Sequence, residues 1–193
     1  MRIDEKLSLV LPIRRNDGDP AAYAYHAPIS REVFEAHFRA LSLMHSEIVG
    51  RDPSYMGSGI HCASLIFRDV AAAEAAKRGP QGVDRSQALF GEIKRLTTIL
   101  APSDAGWEPL PVDAAIAAGH MSVDEWREVE SALVFFTGAY WMASSNRRHE
   151  VMMTVASILG SSTTSSLPSE FAAGLPRSTP EIPSIAGASS VPS

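Results

Sequence analysis

"KLSLVLPIRRNDGDPAAYAYHAPIS", residues 6–30, carries the pattern on which the fold turns. Leu7, Leu9, Leu11 and Ile13 recur at a period of two, which gives a strand one apolar face. "NDGDP", residues 16–20, then supplies turn chemistry: Asp-Gly adopts positive φ cheaply, and Pro20 has no N–H for further pairing. Tyr23 and Tyr25 resume the alternation. The pattern predicts an N-terminal β-hairpin over about residues 5–29. A lone hairpin is marginal in water, so it needs a body to pack on. That body begins after Pro28, where Ser30 is a natural N-cap and Glu32 places an anion in the first helical turn.

Working outward, Val33, Phe34, Phe38, Leu41, Met44 and Ile48 keep a helical stripe as far as Gly50. A second helix is expected over about 58–78, with Ile60, Leu65, Ile66 and Val70 facing inward. A third is expected over about 85–100 on Leu89, Phe90, Ile93, Leu96 and Leu100. "APSDAGWEPLP", residues 101–111, reads as a long connection whose Trp107 and Leu110 fold back on the core. A short helix over 113–118 is ended by Gly119. Ser122 and Glu125 form a capping box that opens a helix carrying Trp126, Val129, Leu133, Phe136, Tyr140 and Trp141. After Ser131 this helix is apolar nearly all round, which marks it as the central one. A last helix spans about 147–159 and stops at Gly160.

From residue 161 onward, 20 of 33 residues are Ser, Thr, Pro or Gly, too few apolar groups to offset chain entropy. The expected organisation is therefore a mostly helical α+β domain over 1–160, its hairpin packed on a helical bundle, and a disordered tail over 161–193. The tail holds one amphipathic island, Leu167, Phe171 and Leu175, spaced at every fourth residue. This island either captures another polypeptide or folds back on its own domain.

Composition narrows the function. With 193 residues, 45% hydrophobic and 20% charged, the chain has ordinary globular usage for one domain. A net charge of -5 argues against bulk nucleic-acid binding, and Lys94-Arg95 and Arg147-Arg148-His149 read as solvated helix faces. The strongly apolar uncharged run, residues 131–146, falls short of the roughly 18–20 apolar residues of a membrane span. The opening residues do not read as a secretory leader. Cys62 is the single cysteine. It sits in the apolar run "IHCASLIF" and is expected to be a buried, inert thiol in a reducing compartment.

No patterned chemistry emerges. His37 and His45 lie eight residues apart, not at the spacing of a metal pair, and His26, His61, His120 and His149 are scattered. "GRDPSYMGSG" follows a helix, not a strand, so it lacks the context of a dinucleotide loop. "DEWREVE", residues 124–130, reads as a solvated acidic face. No cofactor, metal or catalytic set is assigned. "ALVFFTGAYW", with Phe135, Tyr140 and Trp141, reads as core or as a partner groove, with Met142, Met152 and Met153 nearby.

The order of segments resembles the tail assembly chaperones of long-tailed, siphovirus-like bacteriophages. The stretches that carry the resemblance are the opening hairpin running into "PISREVFEAHF" (28–38), "GEIKRLTTILAP" (91–102), "VESALVFFTGA" (129–139) and "TTSSLPSEFAAGLPRSTP" (163–180). "LPSEF" departs from the family, several members of which carry Cys or Asn there. The resemblance implies a non-enzymatic protein of the host cell cytoplasm that holds the tape measure protein soluble during tail assembly. It also implies, in many members, a longer form made by ribosomal frameshifting that recruits tail tube subunits. On this reading Leu167, Phe171, Leu175, Phe135, Tyr140 and Trp141 are the partner-binding candidates, homo-oligomerisation is open, and neither nucleic acid nor membrane is a partner. Two alternatives stand beside it: a structural virion or adaptor protein of a phage tail or head-tail region, and a small-molecule enzyme with dispersed site residues.

Overall fold

The alternating leucines do build a strand, β1 (Ser8–Ile13), which pairs antiparallel with β2 (Ala22–His26) in the register Leu11 opposite Ala24. The computed structural model describes residues 7–15, 18–51 and 58–176. Asn16 and Asp17 of the expected turn and the tail residues 177–193 lie outside the described residues. Leu9, Leu11, Ile13, Ala22 and Ala24 are buried on one face of the sheet, and Val10 and Tyr25 on the other.

The helical body follows as α1 (Arg31–Val49), α2 (Ala63–Ala76) and α3 (Ser86–Arg95), with a 3-10 turn at Gly79–Gln81 between the last two. Ser30 Oγ accepts the Val33 N–H and so starts α1 where the sequence placed it. In α2 one expected core residue turns outward: Leu65 is 60% exposed, because Ala63, Ser64 and Phe67 take the inward face. Cys62, at the N-cap of α2, is exposed rather than buried.

The third helix stops earlier than its leucine spacing implied. Residues Thr97–Ser103 form β3, and Gly106–Pro111 form β4, so the expected end of a helix and the expected loop are a second hairpin. The β-branched run Thr97-Thr98-Ile99 favours an extended chain once β2 offers an edge to pair with. Leu100 then points to the face opposite Ile99, not down a helical stripe. Pro109 and Pro111 are tolerated because β4 is an edge strand. Gly106, at φ +123°, closes the turn in a backbone region that side chains avoid.

The chain continues through α4 (Val112–Ala117) to α5 (Val123–Met142) and α6 (Arg148–Ile158). The capping box forms in full: Ser122 Oγ accepts the Glu125 N–H at 3.1 Å, and Glu125 Oε2 accepts the Ser122 N–H at 2.5 Å. Every residue from Val129 to Tyr140 is buried, so α5 is the central helix, with α1, α2, α3, α6 and β1 packed around it. A Cβ at Gly138 would meet Met142 Cε at 3.4 Å and Met44 Cε at 3.8 Å, ordinary contact distances.

The ordered fold does not end at residue 160. Ser162–Thr164 form β5, which pairs antiparallel with β1 and completes a five-stranded antiparallel sheet in the order β4-β3-β2-β1-β5. Pro168–Gly174 form α7, which lies on the sheet face turned away from α5. The sequence composition of 161–176 hid this because the stabilising surface is supplied by the sheet and not by the segment itself. The architecture is thus α+β and mostly helical: a helical bundle around α5, a sheet, and α7 on the far side.

Phe136 is fully buried at the centre of this arrangement, whereas Phe38 is 51% exposed. Phe136→Ala is expected to lower unfolding free energy by about 3–5 kcal/mol in urea denaturation. Phe38→Ala is expected to lower it by less than about 1 kcal/mol. Equal losses would contradict the assignment of α5 as the core helix.

Candidate interaction surface

The C-terminal end of α5 and the first half of α1 meet in an aromatic stack that reaches the surface. Phe34 lies parallel to Trp141, with ring centroids 6.1 Å apart and an interplanar angle of 27°. Phe38 meets Phe34 edge-on at 5.7 Å. Tyr140 meets Trp141 edge-on at 5.3 Å. Trp141 is fixed from both sides: its Nε1–H donates to the Ile29 carbonyl at 3.1 Å, and the Arg148 guanidinium lies 5.1 Å from the ring centre. Phe38 is exposed, Trp141 and Met142 are half-buried, and Tyr140 lies beneath them. The result is a preorganised aromatic and thioether flank, half in water, of the kind that binds apolar partners with little loss of side-chain entropy.

The other partner-binding candidates fall in different places. Phe135 is 2% exposed and stacks on His45 at 4.9 Å, so it belongs to the core between α1 and α5. Tyr140 is buried and supports the flank from below without presenting a face. Both therefore leave the exposed set, because a helix apolar on every side exhausts its side chains on internal neighbours. Phe171 and Leu175 pack half-buried on the outer sheet face, and Leu167 is 62% exposed before α7. Sequence reasoning missed Phe38 as a surface group, since it shares the helical stripe of Phe34 and Leu41.

A second concavity, of about 170 Å³, is walled by Leu11, Ile13, Ile60, Val129 and Ile158, with Glu125 and Glu128 at its rim. Arg15 crosses that rim, its Nε donating to Glu125 at 2.9 Å and its Nη2 to the His120 carbonyl at 2.9 Å. The Arg15 hydrogen bond holds the Glu125 carboxyl below the usual range. This rim therefore ties β1 to the start of α5.

Titratable groups inside the protein serve packing. Arg68 Nη2 donates to Glu130 Oε2 at 2.8 Å and its guanidinium lies 4.2 Å from the Phe90 ring centre, joining α2, α5 and α3. Burial pushes the Glu130 carboxyl up, against the opposing pull of Arg68. His37 and His45 are both held below the usual histidine range, chiefly by burial. Among the described residues no group of three or more His, Cys, Asp or Glu is placed to hold a metal ion.

His26 is the group the sequence signalled least. It is fully buried at the end of β2, with Nδ1 3.0 Å from Thr97 Oγ1, its ring edge-on to Phe136, and Nε2 without a hydrogen-bond partner. The alternation of Ala22, Ala24 and His26 was the available clue to its inward direction.

No protein family, curated protein or solved structure matches the chain. Among the described residues no helix is long and apolar enough to cross a membrane.

Burial holds the His26 pKa down to about 3, well below the ordinary 6.5. Between those values the unfolded chain binds the proton and the folded chain does not, so unfolding free energy rises with pH. The His26 contribution is complete above pH 6.5 and is lost progressively as the pH falls toward 3. Denaturant titrations of wild type and His26→Gln at pH 7.5 and pH 4.5 are expected to show a smaller acid-induced loss in the variant. An equal loss in both would place the acid sensitivity elsewhere.

Proposed function

We propose that this chain is a tail assembly chaperone of a long-tailed bacteriophage. In this reading it binds the tape measure protein in the host cell cytoplasm and keeps it soluble until the tail tube closes around it. Tail tube subunits are a further partner. The observation that carries the reading is the stack of Phe38, Phe34 and Trp141, in which Phe38 and Trp141 are partly exposed, with Met142 partly exposed at the adjoining end of α5. Two of the four stretches that resemble this family, residues 28–38 and 129–139, run into that flank.

The physics suits a holdase. Covering an exposed aromatic or methionine side chain contributes about 1.5–3 kcal/mol at full burial, and three such groups together give a modest gross energy. Association entropy and ordering of the client offset much of it. The net is reversible capture that a growing tail can displace. Methionine at the edge of the flank adapts to clients of varied shape.

Co-expression with the tape measure protein tests the reading. Wild type is expected to bring the tape measure protein into the soluble fraction, and Phe38→Asp to leave most of it in the pellet while retaining the wild-type melting temperature within a few degrees. A tape measure protein that stays equally soluble with the variant, or insoluble with both, would contradict the proposal.

A further inference from the structure

The outer face of the sheet presents Val10, Tyr23, Tyr25, Leu100 and Trp107, and these form an apolar cluster separate from the main core. Its occupant is α7, through Phe171, Ala172 and Leu175. Tyr23 and Trp107 meet edge-on at 5.1 Å, and Phe171 extends the series edge-on to Tyr23 at 6.4 Å. We propose that this face is a docking trough for a short amphipathic helix of a partner polypeptide, and that α7 is a built-in occupant which the partner helix displaces. The inference goes beyond the chaperone reading and holds for any partner that carries such a helix.

Three features of the contact support displacement. First, α7 has seven residues, too few for a helix to persist alone in water, so it is ordered by the trough and unfolds on leaving it. Second, the sheet separates this cluster from the residues around α5, so the main core loses no packing when α7 departs. Third, two hydrogen bonds that fasten the segment to the trough are made to main-chain carbonyls. Trp107 Nε1–H donates to the Pro176 carbonyl at 2.8 Å, and the Tyr25 hydroxyl donates to the Ser166 carbonyl at 2.6 Å. Any incoming peptide carries carbonyls, so these bonds do not require the chain's own sequence. Tyrosine and tryptophan, with apolar bodies and polar tips, suit a surface that alternates between covered and wet.

The occupant also defines what fits. Ala172 is the one residue of α7 that is buried, and Phe171 and Leu175 lie half-buried beside it. The trough therefore takes a helix with an aromatic residue, a small residue directly after it, and leucine four positions after the aromatic. A bulky residue at the small position would lift the helix off the sheet.

A fluorescein-labelled peptide of residues 162–176 is the probe, titrated into the full chain by fluorescence anisotropy. Phe171→Asp with Leu175→Asp empties the trough in cis, and the peptide is expected to bind this variant about tenfold or more tightly than wild type. A peptide bearing Phe171→Asp is expected not to bind either protein. A double variant that keeps a cooperative thermal melt and fails to bind the peptide overturns the proposal. A double variant that does not fold shifts the test to hydrogen exchange on wild type. There, faster exchange of residues 169–174 in excess peptide supports displacement, and unchanged rates overturn it. A wild-type dimer in sedimentation that exchanges its 161–176 segments and excludes the peptide assigns the trough to a second copy, and overturns the partner-helix assignment.

Discussion

The contact between α5 and the leucine face of β1 is the constraint on which the other elements depend. A helix buried over most of its circumference cannot be covered by one neighbour. The sheet covers one side through Leu9, Leu11 and Ile13, and α1, α2, α3 and α6 close the others. The sheet in turn needs α5, since its face of Leu9, Leu11 and Ile13 would otherwise lie open to water. Each half thus supplies the surface the other lacks. The aromatic flank follows from the same geometry. At the C-terminal end of α5 Trp141 stacks on Phe34 of α1, and Phe38, Trp141 and Met142 stay partly exposed.

Much of this was legible in the residues. Alternation at Leu7 to Ile13, the Ser30 cap, the Ser122–Glu125 box and the uncharged run after Ser131 located the first hairpin, α1 and the central helix, because each signal is local. The second hairpin was not legible. Leu96 and Leu100 are spaced as a helix would space them, and only pairing with β2, distant in sequence, makes the extended form of residues 97–103 the better solution. The three-residue β5 exists because β1 has an open edge, and α7 because the sheet has an open face. Neither condition is written in the polar composition of residues 161–176.

The surface was harder to read than the core. Phe135 and Tyr140 carry the same apolar label as Phe38 and Trp141, and a one-dimensional stripe does not say where a helix outruns its neighbours. The amphipathic island in the tail had two readings, capture of a partner or return to its own domain. The structure places Phe171 and Leu175 against the domain's own sheet. The two apolar surfaces then differ in kind. The α1–α5 flank is rigid and already open, whereas the outer sheet face is covered by a segment that is held by few groups.

The most direct test of the central claim, that this protein works by offering apolar helical surface to another polypeptide, is site-specific photocrosslinking. A photoreactive phenylalanine analogue would replace Phe38 in one protein and Val123 in another. Val123 is equally exposed but stands at the start of α5, about 27 Å along that helix from Trp141. Irradiation after co-expression with the tape measure protein is predicted to give a covalent adduct from position 38 and little from position 123. Equal adducts from both positions, or none from either, would contradict the account.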